Sequence, residues 1–114
     1  MRIQTELGEI GISNEVIRAI AGDAASACFG VRGMTGTSLG DGLSRLLHRG
    51  VMTTGVSVRT EDDELVIALH VATGDGVNIP AVSRSIISEV RYRVQEATGL
   101  RVKRIDVYVD HVRG

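Results

Sequence analysis

Much of the side-chain chemistry that proteins rely on is scarce in this chain. Among 114 residues there is one cysteine, Cys28, one proline, Pro80, and no tryptophan, and aromatics make up 3%. A single thiol cannot close an intramolecular disulfide, which agrees with a reducing compartment. So few aromatics leave no Phe/Tyr platform on which bases could stack. No apolar run approaches the roughly 20 residues needed to cross a bilayer, and the opening Met1-Arg2-Ile3-Gln4-Thr5-Glu6 lacks the apolar centre of a signal peptide. A cytoplasmic chain with no direct membrane insertion is expected. The formal net charge of −1 argues against a general attraction to nucleic acid or anionic lipid.

What is present describes one ordinary core. The hydrophobic fraction of 43% and charged fraction of 24% suit a single globular domain over 1–114. Ile10 and Ile12 alternate with Glu9 and Gly11, predicting a short strand that feeds a sheet face. Ser13 then caps a helix whose apolar stripe runs through Val16, Ile17, Ile20, Ala21, Ala24, Ala25 and Cys28. Val31–Thr35 is a weak strand, the glycines from Gly33 to Gly42 predict a loop, and Leu43, Leu46 and Leu47 a short helix. The β-branched stretches 54–59 and 64–73 predict a hairpin turning at Glu61-Asp62-Asp63-Glu64. Pro80 opens a long helix with Val82, Ile86, Val90, Val94 and Ala97 on its buried stripe, Glu89 and Arg93 paired on its surface, and Gly99 as its stop. A last strand covers 101–109. The predicted class is α+β, β-α-β-(short α)-β-β-α-β, with two long helices on one face of a mixed or antiparallel sheet.

Constellations that carry catalysis are missing from the pattern. Cys28 falls on an apolar helical stripe, where a thiol is a small core residue, and no base is placed to activate it. His48, His70 and His111 belong to separate elements, so no metal site forms by spacing. Gly36-Thr37-Ser38-Leu39-Gly40-Asp41-Gly42 has no Lys-Ser or Lys-Thr after it and is no phosphate loop. Neither a cofactor nor an enzymatic activity is expected.

Two features suggest partners. The loop Asp75, Val77, Asn78, Ile79 before the long helix and the His70 face of the hairpin are candidate protein contacts, although Asn78 can equally bond local backbone. An exposed sheet edge would favour self-association. The alternative is RNA binding of KH-like type. Gly33-Met34-Thr35-Gly36 has the Gly-x-x-Gly spacing, and from 84 to 104 six cations, among them Arg84, Arg91, Arg101, Lys103 and Arg104, face two anions.

Several stretches in order resemble the alkaline-shock (general-stress) protein family of bacterial envelope stress proteins. They are Gly8-Glu9-Ile10-Gly11-Ile12-Ser13-Asn14-Glu15-Val16-Ile17, Gly30-Val31, Gly55-Val56-Ser57-Val58, Gly76-Val77-Asn78-Ile79-Pro80-Ala81-Val82 and Thr98-Gly99-Leu100-Arg101-Val102. The resemblance implies a small cytoplasmic protein associated with envelope stress, non-enzymatic, acting by protein contacts at the inner face of the membrane. Its partners would be other proteins, a membrane-anchor protein among them, and the sheet edge adds a second copy of itself as a homo-oligomer. No catalytic residues carry over. The Arg-rich composition and the Gly33–Gly42 stretch depart from the family's pattern.

Overall fold

The computed structural model describes residues 1–34 and 55–111. The predicted short helix, His48 and the second glycine of the Gly33–Gly36 pair lie outside them. Strands β1 (Arg2–Thr5) and β2 (Gly8–Gly11) precede helix α1 (Asn14–Ser26) and strand β3 (Val31–Met34). Strands β4 (Val56–Glu61) and β5 (Glu64–Thr73), helix α2 (Ile79–Thr98) and strand β6 (Val102–His111) follow. The α+β class stands, with both helices packed on a mixed sheet.

β5 is the centre of that sheet. β6 runs parallel along one edge, from Leu65↔Val102 to Thr73↔His111. The other edge is shared by two antiparallel strands, β4 opposite Glu64–Leu69 and β3 opposite Val71–Thr73. A parallel neighbour cannot be reached by a tight turn, so α2 is the crossover that brings the chain back. Leu65, Ile67, Leu69 and Val71 point toward the helices and are fully buried. They meet Ile17, Ala21, Ala24 and Ala25 of α1 and Val82, Ile86, Val90 and Val94 of α2. The alanines let α1 lie close.

The punctuation follows backbone chemistry. Asp62 and Asp63 both adopt positive φ, 53° and 63°, as a two-residue type I′ hairpin turn demands. Lys103 Nζ donates to Glu61 Oε1 at 3.2 Å and Asp62 Oδ2 at 3.0 Å, tying this turn to the start of β6. The Lys103 ammonium and the Arg59 guanidinium hold the Glu61 carboxyl below its usual range. Gly99 ends α2 in the left-handed region at φ 74°.

Three expectations need correction. β2 does not feed the main sheet; it pairs only with β1, a strand the sequence did not announce, leaving Ile10 49% exposed. The hairpin is tied down by its base, where Met1 and Ile12 exchange backbone bonds of 2.7 Å. Val16 is 50% exposed and Ala97 is exposed as well, because each lies off the line that meets the sheet. Arg93 leaves Glu89 for Asp23 of α1, with Nη2 at 2.6 Å from Oδ2, a helix-to-helix contact in place of an intrahelical one.

Thr73 is the one buried polar residue among those described, and its hydroxyl has no partner there. A buried unsatisfied hydroxyl costs about 1–3 kcal/mol, whereas an apolar group of the same shape avoids that cost. Thr73→Val is therefore expected to leave stability unchanged or raise it in urea unfolding. Ile86→Ala, at a fully buried site, should lower it by about 2–5 kcal/mol.

Candidate functional site: an apolar groove between two turns

The turn from α1 into β3 and the loop from β5 into α2 lie side by side. In the first, Cys28 N donates to Ala25 O and Val31 N to Cys28 O, which lifts Phe29 to the outside, 94% exposed. Gly30 takes φ 91°, and a Cβ there would stand 3.0 Å from Val82 Cγ2 and 3.2 Å from Val77 Cγ1. Only glycine lets the two segments approach so closely. In the second, Gly74 leaves space for the Arg32 stem, since a Cβ would meet Arg32 Cδ at 3.1 Å. Asn78 closes the loop by capping α2, its Oδ1 accepting from Ala81 N at 3.0 Å.

Between them runs an open groove of about 890 Å³. Phe29, Val31, Val77, Ala81 and Val82 make it apolar, and Arg32, Asp75 and Asn78 supply the polar side chains. Such a mixture suits a ligand or peptide segment that buries apolar surface and is oriented by a few polar bonds. Among the described residues that line it, no nucleophile stands beside a base. Cys28 lies nearby, half-buried, its Sγ donating to Ala24 O at 3.5 Å. Burial is the main influence and raises its thiol pKa, partly offset by a hydrogen bond with Ser85. Among the described residues no three His, Cys, Asp or Glu converge as metal ligands.

Of the residues singled out from the sequence, Asp75, Val77 and Asn78 line this groove, and Ile79 follows at its rim as the exposed first residue of α2. His70 lies elsewhere, exposed on the face of the sheet turned away from α1 and α2 and stacked on Tyr108 with ring centroids 4.8 Å apart. The cationic residues do not gather. Lys103 pairs with Glu61 and Asp62, and Arg104 with Asp106 at 3.2 Å. Arg84 and Arg91 flank a shallow depression on α2 with Ile87 and Tyr92. Gly33 lies within β3, opposite Ala72, where a KH loop would join two helices. Phe29, Gly30 and Arg32 were missed by sequence reasoning. A lone aromatic beside a glycine at a helix end was the available signal.

Residues 2–114 match the model of a family described as "Asp23 family, cell envelope-related function". The uncharacterized protein YloU of Bacillus subtilis (strain 168) is 35% identical, over 99% of this chain and 95% of its own length. The uncharacterized protein YqhY of the same organism is 32% identical, over 92% of this chain and 77% of its own. Among solved structures, the MamM CTD copper form aligns with a TM-score of 0.52 over 86% of this chain and 85% of its own, at 13% identity, a likeness of fold alone.

Two results are expected. Asn78→Ala should cost about 1 kcal/mol in thermal unfolding by removing the cap, and Asn78→Ser should recover most of it. The Cys28 thiol should react with a disulfide reagent more slowly in the native chain than in the urea-unfolded chain, because its burial and raised pKa both suppress the thiolate.

Proposed function

Since this chain belongs to the Asp23 family, the alkaline-shock family, whose name abbreviates a protein and not the aspartate at position 23, we propose that it is a non-enzymatic interaction module of the cell envelope. It works at the inner face of the membrane by holding a segment of a partner protein in the Phe29 groove. No helix among the described residues is long and apolar enough to cross a membrane, so on this reading contact with the envelope comes through that partner.

The observation that carries the reading is Phe29. Leu7 is equally exposed but stands at a hairpin tip, whereas Phe29, 94% exposed, also lines an apolar groove, and an aromatic side chain continuous with such a groove can anchor a bound segment. Arg32, Asp75 and Asn78 around it would set the direction of the bound segment. The apolar character of the lining, with Phe29, Val31, Val77, Ala81 and Val82, supports binding of an apolar segment.

The test compares proteins co-purified with the wild-type chain, with Phe29→Ser and with Tyr92→Ser, which alters an exposed aromatic on another surface. Phe29→Ser should unfold as the wild type does and lose a partner that Tyr92→Ser retains. Identical recovery by all three would remove the groove from the binding surface. Recovery of RNA in place of protein would favour the nucleic-acid alternative at Arg84 and Arg91.

A further inference from the structure

β6 is ten residues long and contains no proline. One edge bonds in parallel to β5, and among the described residues no strand lies along the other. A bare edge is a row of unpaired N–H and C=O groups, ready to template another strand. Which strand it accepts is decided by the order of its side chains. Arg104, Asp106, Tyr108 and Asp110 share the face turned away from α1 and α2, beside Val66, Ala68, His70 and Ala72 of β5. Ile105, Val107 and Val109 share the helix side, and Val107 and Val109 are only partly buried there.

Across an antiparallel seam only residues of the same face can oppose one another. With a two-fold axis at Val107, that residue meets its own copy. Ile105 then meets Val109, Asp106 meets Tyr108, and Arg104 meets Asp110, each pair occurring twice. Between 104 and 110 apolar faces apolar and the cation Arg104 faces the anion Asp110, while at the ends Lys103 meets His111. An axis at Asp106 opposes that carboxylate to itself, and an axis at Tyr108 opposes Asp106 to Asp110 twice. An axis at Ile105 does pair Arg104 with Asp106, but it leaves the end of β6 from Val109 onward without a partner strand. The Val107 register thus combines a ladder along nearly all of β6 with no opposed carboxylates.

We propose that a second copy of this chain pairs antiparallel with β6 about a two-fold axis at Val107, joining two sheets into one. The contact is isologous and closes on itself, as a dimer requires. Arg104 now bonds Asp106 on its own strand at 3.2 Å, an exposed pair of little strength that can be exchanged for Asp110 across the seam. The second copy covers the exposed flanks of Val107 and Val109. The seam shares no residue with the Phe29 groove, so partner capture and dimerisation can fail separately.

Sedimentation of the full chain over a wide concentration range tests this. The wild type should form a dimer. Arg104→Asp alone and Asp110→Arg alone each place like charges opposite one another twice, and each should weaken dimerisation about tenfold or more while leaving the far-UV spectrum unchanged. An equimolar mixture of the two variants should regain the dimer, because every opposed pair is again Asp with Arg. A wild-type chain that stays monomeric at all concentrations overturns the proposal. So does a dimer that neither single reversal weakens, or a mixture no tighter than its components.

Discussion

Everything in this molecule depends on β5 being hydrogen-bonded along both edges while its Leu65, Ile67, Leu69 and Val71 are sealed against helices. A strand with no free edge and one fully buried face has a single register, since a slip by one residue would turn those four side chains outward. Because β6 joins it in parallel, a crossover is obligatory, and α2 supplies it. α1 then closes the remaining half of the core over β3 and β4. The two ends of β5 are consequently fixed, one by the Asp62-Asp63 turn clamped by Lys103, the other by the loop that becomes the groove.

The groove follows from this arrangement. β3 is held opposite the end of β5, so the turn at Gly30 and the loop through Val77 must leave the sheet together. Their contact through Gly30, Val77 and Val82 forms the floor, and Phe29, with no interior left to enter, stands outside. The proposed binding surface thereby lies where the core stops. The face of the sheet turned away from α1 and α2 has a different character, with His70 stacked on Tyr108 among Arg59, Arg104 and Asp106, a polar surface whose charges largely cancel.

Belonging to a family with a cell envelope-related description narrows where this chain acts more than what it does. The physical reading adds a division of surfaces. An apolar groove at one end of the sheet suits a segment of a different protein, while the edge of β6 has the symmetric charge order that suits a copy of itself. A dimer built at that edge would present two grooves at once, which raises effective affinity for any partner that can reach both.

By itself the sequence determined every element whose signal is local. The strand 64–73, the helix from Pro80 to Thr98 with its Gly99 stop, the Ser13 cap and the acidic turn were all legible, because periodicity, capping and turn chemistry operate within a few residues. Only the tertiary structure decided the rest. β1 was invisible because Arg2–Thr5 contains a single apolar residue and is satisfied by its neighbour β2 alone. Arg93 chose Asp23, 70 residues away, over the nearby Glu89 because α1 lies against α2. Phe29, Arg32, Asp75 and Asn78 became one site only when β3 and the end of β5 were paired. Contacts between distant segments depend on which strand lies beside which, and no local pattern carries that information.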